Sequence, residues 1–254
     1  MKSLYQNGFE HLYDAMYQTF IDYWEEFNFY RAIILQHNKK SVLEIGCGTG
    51  HLAKFFIASN IDYIGLDSSQ EMINVSQKRN PTGLFITEDA TKFKLYNQID
   101  SIIITGRTTS YLLNNKIVTE ALNTIHNNLN YDGLLCFDFI DASRFFKEIK
   151  GGKSIVHKAI IDDKHYIRES YIKENTTLDN MMFEWDSHYY KVEKKLKTHI
   201  TQDTSTVRAF TKNEWELLLE LNNFKLLEFI DKKSYAFDTY VVIAKKIEKS
   251  TQDA

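Results

Sequence analysis

The sequence predicts an α/β protein: a doubly wound, mostly parallel sheet with helices on both faces, an N-terminal helical cap and an inserted antiparallel β lid. Three observations carry this. Short apolar runs near residues 41–45, 61–67, 84–87, 99–105 and 134–139 alternate with helical patterns at the pace of β-α-β units. Glycines stand at alternate positions, Gly46, Gly48 and Gly50, directly after the first run. From about Ile155 to Val207 the periodicity changes to two, as in an antiparallel sheet with one solvated face.

In chain order, Gly8 to His37 reads as helix, because Phe9, Leu12, Tyr13, Met16, Tyr17 and Phe20 and then Tyr23, Trp24, Phe27, Tyr30, Ile33 and Ile34 recur every three or four residues. This is either one kinked helix or two, covering the domain edge as a cap over residues 1–40. Val42, Leu43 and Ile45 form a strand that turns at the glycines into a helix from His51 to about Ser59. Its free N–H groups would face whatever lies over the turn. Ile61 to Asp67 is a second strand ending in a carboxylate about 20 residues past the turn, the span of one β-α-β unit. Ser68 and Ser69 cap a helix that ends before Pro81, with Glu71 in its first turn and Lys78 and Arg79 in its last. Leu84 to Thr87 precedes Glu88, Asp89 and Ala90. Ile102, Ile103 and Ile104 mark a strand buried on both faces. A helix over 114–129 and a turn at Tyr131, Asp132 and Gly133 lead to the fifth strand.

The lid shows alternation in His165–Ile172 and Met181–Tyr190, with Asp179–Asn180 as a hairpin turn. Thr211 and Glu214 have capping-box spacing, and the helix they open runs through Trp215, Leu218 and Leu219. Strands over 224–230 and 235–244 finish the core. The expected organisation is therefore a cap over 1–40, a core over 41–150 and 209–246, a lid over 151–208 and a polar tail over 247–254.

Composition narrows the function classes. Among 254 residues, 43% are hydrophobic and 26% charged, and no stretch supplies the ~20 apolar residues a membrane span needs. The N-terminus lacks an apolar signal core, and Cys47 and Cys136 make no disulfide framework. A cytoplasmic protein is expected. A net charge of -3 argues against a nucleic-acid partner. No His/Cys/Asp cluster has metal-ligand spacing, so no metal is expected.

The glycine turn admits three readings. A phosphate-binding P-loop needs Gly-Lys-Ser/Thr, and Gly50 is followed by His51 and Leu52, so that reading fails. A dinucleotide site wants a third glycine where His51 stands, which weakens the second. For the third, Glu44-Ile-Gly-Cys-Gly-Thr-Gly50 resembles the first motif of class I S-adenosylmethionine (SAM)-dependent methyltransferases. Gly65-Leu66-Asp67 resembles their second motif and Asp89-Ala90 their third. The chemistry agrees, since SAM presents an ammonium, a vicinal diol and an exocyclic amine, each of which a carboxylate accepts from.

The resemblance implies a Rossmann-like seven-stranded sheet in the order 3-2-1-4-5-7-6. It implies Glu44 toward the methionine ammonium, Gly46, Cys47, Gly48 and Gly50 along the cofactor, Asp67 on the ribose with Ser68, Ser69 and Met72 behind it, Asp89 and Ala90 at the adenine, and Thr105 after strand four. Leu12 to Tyr17 resembles the segment that caps SAM in small-molecule members, notably aminodeoxysugar N,N-dimethyltransferases and glycine N-methyltransferases, which makes Tyr13 and Tyr17 roof residues.

The loop Thr105–Tyr111 corresponds to acceptor contacts, with Tyr111 where the sugar enzymes carry histidine. Arg107 in this loop suits a carboxylate or phosphate on the acceptor. Trp185, His188, Tyr190 and Arg208 are expected on a polar-aromatic lid wall, with His188 as candidate base. Tyr13, Tyr111, Arg107 and His188 are thus the candidate catalytic residues. The alternatives are core packing for the tyrosines, a surface salt bridge for Arg107 and a solvent-facing His188. The Asn/Asp-Pro-Pro-Tyr motif of enzymes acting on planar amino groups is absent. The expected activity is methyl transfer from SAM, leaving S-adenosyl-L-homocysteine (SAH), to N or O of a small molecule by in-line displacement. The alternatives are a methyltransferase of RNA or protein and a non-catalytic SAM-binding partner. The expected assembly is a monomer or a homodimer through the lid.

Overall fold

A computed structural model describes residues 10–174, 181–194 and 196–248. Gly8 and Phe9, the expected turn at Asp179–Asn180, and the tail from 249 lie outside these residues. The N-terminal pattern resolves into two helices, α1 (Glu10–Tyr17) and α2 (Tyr23–Gln36). Asp22 separates them: its backbone is extended, and its carboxylate accepts from the amides of Trp24 and Glu25, both at 3.0 Å.

The core follows as β1 (Ser41–Ile45), α3 (His51–Ile57), β2 (Asp62–Asp67), α4 (Gln70–Arg79), β3 (Leu84–Thr87), β4 (Ile99–Ile104), α5 (Asn115–Asn128), β5 (Leu129–Phe139) and α6 (Ala142–Glu148). The lid strands are β6 (Lys153–Ile161), β7 (Lys164–Glu174), β8 (Met182–Glu193) and β9 (Leu196–Arg208). The chain returns to the core with α7 (Lys212–Leu221), β10 (Phe224–Lys232) and β11 (Thr239–Lys246).

The large sheet has the order β10-β11-β5-β4-β1-β2-β3. Counting only its own strands, this is the expected 3-2-1-4-5-7-6, parallel except where β11 runs against β5 and β10. Consecutive apolar residues explain the double winding. Leu43, Ile102, Leu135 and Val242 pack on one face with Trp215 and the helices α5 and α7, whereas Val42, Ile103, Cys136 and Val241 pack on the other with Tyr30 and Phe56 of α2 and α3. Both faces of the central strands are therefore covered.

Three local expectations need correction. The turn expected at 131–133 is a bulge inside a longer β5: Asp132 adopts φ 64° and the β4–β5 register shifts between Ile99 and Ser101. Strand β11 begins at Thr239 rather than Tyr235, because residues 234–238 form a loop held by Arg107. Helix α6 was not anticipated; Asp141 precedes it, and the Ala142 amide donates to Phe210 O at 2.8 Å, tying it to the segment that leaves the lid.

The four lid strands form a separate antiparallel sheet in the order β6-β7-β8-β9. Ile172, Phe183 and Val207 of that sheet bury against Phe145 and Ile149 around α6 and Phe237 of the 234–238 loop. This apolar seam seats the lid over the C-terminal ends of the parallel strands, while α1 lies beside β6 and α4. No helix among the described residues is long and apolar enough to cross a membrane.

Candidate functional site

The glycine turn is a cradle strapped at both ends. Gly46 (φ 76°) donates its N–H to Leu66 O at 2.7 Å, folding the turn back onto β2. A Cβ on Gly46 would lie 2.6 Å from Thr108 Oγ1, and one on Gly50 2.9 Å from Ser76 Oγ, so neither position accepts a side chain. Gly48 differs, with φ 54° and open space where its Cβ would be. Its backbone faces a cavity of about 770 Å³ at the strand ends, within the range of roughly 300–1,000 Å³ that small-molecule sites occupy. The carbonyls of Gly48 and Gly50 accept from Ser76 Oγ at 2.7 Å and Asn80 Nδ2 at 2.9 Å, which fixes the cradle to α4.

Asp67, at the end of β2, lines the cavity. Its Oδ2 accepts from the Gly48 amide and its Oδ1 from the Ser69 amide, each at 2.9 Å. A carboxylate accepts up to about four hydrogen bonds, so Asp67 keeps acceptor capacity for a diol. Burial raises its pKa, and the backbone donors oppose that rise. Ser68, Ser69 and the buried Met72 line the wall beside it. Asp89 and Ala90 line the next stretch. Asp89 is exposed, and Thr91, donating from Oγ1 at 2.6 Å and from its amide at 2.7 Å, holds its pKa below the usual value.

Four of the expected cofactor residues stand behind the cavity rather than on it: Glu44, Cys47, Gly50 and Thr105. Glu44 is buried, with Oε2 accepting from the Tyr63 hydroxyl at 2.5 Å and Oε1 from Thr105 Oγ1 at 3.0 Å. Burial pushes its pKa up to about 7 despite those two donors. Cys47 turns into the apolar cluster with Phe56 and Tyr63.

Above the cradle, Tyr13 and Tyr17 of α1 stack at 4.0 Å and line the cavity. Sequence reasoning missed what holds them. Asp14 accepts from Thr49 Oγ1, from Arg79 Nη2 at 2.7 Å and from Gln18 Nε2 at 3.0 Å, and its Oδ1 lies 2.7 Å from His51 Nε2. One carboxylate thus joins the roof helix to the cradle, α3 and α4. In the sequence, Arg79 has a local explanation as a helix-end cation and His51 matters only as a missing glycine, so nothing local pairs them with Asp14.

The far wall comes from the loop after β4 and from the lid. Arg107 is buried at φ 63°, so the surface salt bridge is excluded for it. Its guanidinium lies between the rings of Tyr235 and Phe237, 4.1 Å from each centroid. Its Nη2 donates to Ser234 Oγ at 3.0 Å, to Phe237 O at 3.2 Å and to Tyr235 O. The Arg107 amide donates to Asp138 Oδ1 at 2.8 Å. Tyr111, Ser110, Trp185 and Ser187 share this wall with Arg168, whose Nη2 donates to Ser187 Oγ at 3.2 Å.

His188 does not reach the cavity. Trp185 and Ser187 take the inner face of β8, so the next residue points outward, where His188 meets Asp186 Oδ2 at 3.1 Å and His199 at 3.4 Å. Tyr190 shares that outer face, with Lys197 over its ring. Arg208 is also absent from the wall; it is buried and pairs with Glu214 and Asn115. Among the described residues no group of three or more His, Cys, Asp or Glu is poised to hold a metal ion.

Comparisons with known proteins fit this geometry. Residues 42–133 match the family described as a methyltransferase domain. The Geobacillus sp. protein GWCH70_2453, named as a methyltransferase, is 28% identical over 139 residues, 52% of this chain and 56% of the relative. The chain thus spans little more than half of that relative's length. The sugar N-methyltransferase KedS8 from Streptoalloteichus sp. superposes with a TM-score of 0.78 at 16% identity, covering 98% of each chain. SAM-bound CalS10, an amino pentose methyltransferase from Micromonospora echinaspora, does so at 0.74 and 14%, covering 97% of this chain and 100% of that one. The chain is thus similar to a methyltransferase domain over residues 42–133, the stretch that holds the cradle, and it shares the overall fold of SAM-dependent methyltransferases.

Proposed function

We propose that the protein transfers a methyl group from SAM to a nitrogen or oxygen of a small-molecule acceptor. The observation that carries this reading is the one cavity shared by the acidic cradle and the polar-aromatic wall, lined also by α1 and the lid. When bound there, SAM supplies an electrophilic methyl on sulfur. The residues present fit it. Gly48 leaves open space where a side chain would fill the cradle. Asp67 takes the ribose diol on its remaining lone pairs, Asp89 and the Ala90 amide take the adenine edge, and Glu44 provides the negative charge behind the turn for the ammonium. Tyr13 and Tyr17 keep water from the reacting atoms, and Tyr111 orients the acceptor. With His188 outside, catalysis rests on alignment rather than on a strong base.

The sugar and amino pentose enzymes of the same fold support a small acceptor. So does the size of the cavity, about 770 Å³, which suits a small molecule. In this reading the protein acts without a metal, as a monomer or as a dimer paired through the outer lid face. Titration calorimetry with SAH is the direct test, and micromolar or tighter binding is expected. With methyl-labelled SAM and a cell extract, label should enter the small-molecule fraction. Absence of SAH binding refutes the reading; label in RNA or protein favours a macromolecular acceptor; tight binding without transfer favours a non-catalytic partner.

Glu44 gives the reading a pH signature. A carboxyl raised to about 7 binds more protons folded than unfolded between roughly pH 4.5 and 7, so its contribution to stability falls as pH rises across that window. The ionised form is the one that attracts an ammonium. Between pH 6 and pH 8 its population rises about tenfold, and SAH affinity should rise by about that factor, with proton release visible as a buffer-dependent heat. Glu44→Gln should flatten the profile; an unchanged slope in that variant removes Glu44 from the cofactor site.

A further inference from the structure

The far wall holds more positive charge than the methyl donor accounts for. Arg107 is buried to 5% exposure, and among the described residues its guanidinium makes no ion pair and its Nε and Nη1 have no hydrogen-bond partner. Three residues on, Ser110 is 1% exposed and its Oγ likewise lacks a partner. Both line the cavity, and so does Arg168, reaching it from the lid sheet at 5% exposure. A buried donor without an acceptor costs on the order of 1–3 kcal/mol, more when charged. The Arg107 and Ser110 donors on one cavity wall match a missing acceptor, and the acceptor that suits a guanidinium group is a carboxylate or phosphate oxygen.

The placement is specific. Tyr17 and Tyr235 pack edge to face at 6.3 Å, with Arg168 over Tyr17 at 5.2 Å and Arg107 over Tyr235 at 4.1 Å. The two cations thus flank one aromatic pair, against which Tyr13 and Phe20 also pack. Tyr235 lines the cavity as well, beside Arg107. His157, just beyond, reports the local field: burial first, and then the charges of Arg168 and Arg107, push its pKa down to about 4. The cavity is polarised as a result. Its cofactor end carries Asp67, Glu88, Asp89 and Glu120, offset by Lys92, and its far end sets two arginines against Asp203.

We propose that Arg107, Ser110 and Arg168 form an anion subsite, and that the acceptor carries a carboxylate or phosphate held there while its amine or hydroxyl points at the methyl donor. This rests on the methyltransferase reading above and narrows its substrate class. The subsite works by anchoring: two charges, one on the loop after β4 and one on the lid sheet, fix the acceptor only when the lid is seated, so the anion also couples acceptor binding to lid position.

The test is calorimetry on SAH-saturated protein at constant ionic strength, with inorganic phosphate, pyrophosphate and malonate as probes against chloride. Wild type should bind at least one probe at least tenfold more tightly than Arg168→Gln, and severalfold more tightly than Ser110→Ala, while SAH affinity stays within about twofold in both variants. A preference for malonate assigns a carboxylate, and a preference for the phosphates a phosphoryl group. Arg107→Met is measured beside them; because Arg107 also pins the 234–238 loop, a folding loss there leaves the other two variants decisive. No binding above chloride, equal binding in Arg168→Gln and Ser110→Ala, or binding only in the absence of SAH overturns the proposal. The last result would give the arginines to the cofactor's own carboxylate. Failure of SAH to bind at all counts against the parent reading and takes this one with it.

Discussion

Asp67→Ala is expected to weaken SAH binding at least about 100-fold while leaving the circular dichroism of the fold unchanged. Asp67 acts twice. Its two oxygens hold the amides of Gly48 and Ser69, at 2.9 Å each, and so shape the cradle before any ligand arrives. Its remaining lone pairs are the ribose acceptors in the proposed function. Hydrogen bonds to a charged group contribute about 1.5–3 kcal/mol each, so losing two to the diol corresponds to about 3–6 kcal/mol. At 1.4 kcal/mol per decade, the lower bound is already about two decades. Asp67→Asn keeps one acceptor and turns the other into a donor, which predicts an intermediate loss of roughly tenfold. Asp89→Ala should cost less than Asp67→Ala, because Asp89 is exposed and exchanges its ligand for water. Asp67→Ala binding SAH within threefold of wild type would remove the carboxylate, and the second motif with it, from the cofactor site.

Legibility in the sequence followed the range of the contacts. The first strand, its glycines and Asp67 lie within 30 residues of one another, and their geometry depends on local φ values and one β-α-β unit, so spacing alone specifies them. Arg107 was placed in the right loop but with the wrong environment: its ring clamp and hydrogen bonds come from Ser234 to Phe237, almost 130 residues away, where no local pattern points back. The error at His188 was avoidable. Trp185 and His188 stand an odd number of residues apart on one strand, and strict alternation sends them to opposite faces. The register irregularity opposite Tyr189 and Tyr190 lies in β9, where Ile200 is skipped, so it does not bring His188 inward. Glu44 shows a third kind of limit. Its identity was legible, but its placement behind the turn, bonded to Tyr63 and Thr105, follows from the phase of β1 against two neighbouring strands.

Asp14→Ala is expected to detach the roof. The Asp14 carboxylate is only 12% exposed, and burial alone would raise its pKa; hydrogen bonds from His51, Arg79 and Thr49 outweigh burial and hold it well below the usual carboxylate range. A depressed folded pKa means that the stabilisation is present above the ordinary carboxylate pKa of about 3.9 and is lost as pH falls below it, so the latch is closed throughout neutral pH. Removing one partner of a buried ion pair costs roughly 3–5 kcal/mol. Arg79 is 23% exposed and regains water in the variant, which lowers the expected cost to about 2–3 kcal/mol. That loss is local. Helix α1 has eight residues and packs at the edge of the core, so it opens without unfolding the sheet. Amide exchange over residues 11–17 should accelerate about 30- to 100-fold in Asp14→Ala, with exchange in β1 and β4 unchanged. Because Tyr13 and Tyr17 travel with α1, SAH affinity should fall by at least tenfold, and Asp14→Asn, which keeps an acceptor but no charge, should lie between. Wild-type exchange over 11–17 in Asp14→Ala would show that the roof is held by its rings instead. Accelerated exchange with full SAH affinity would show that the tyrosines cover the acceptor rather than the cofactor.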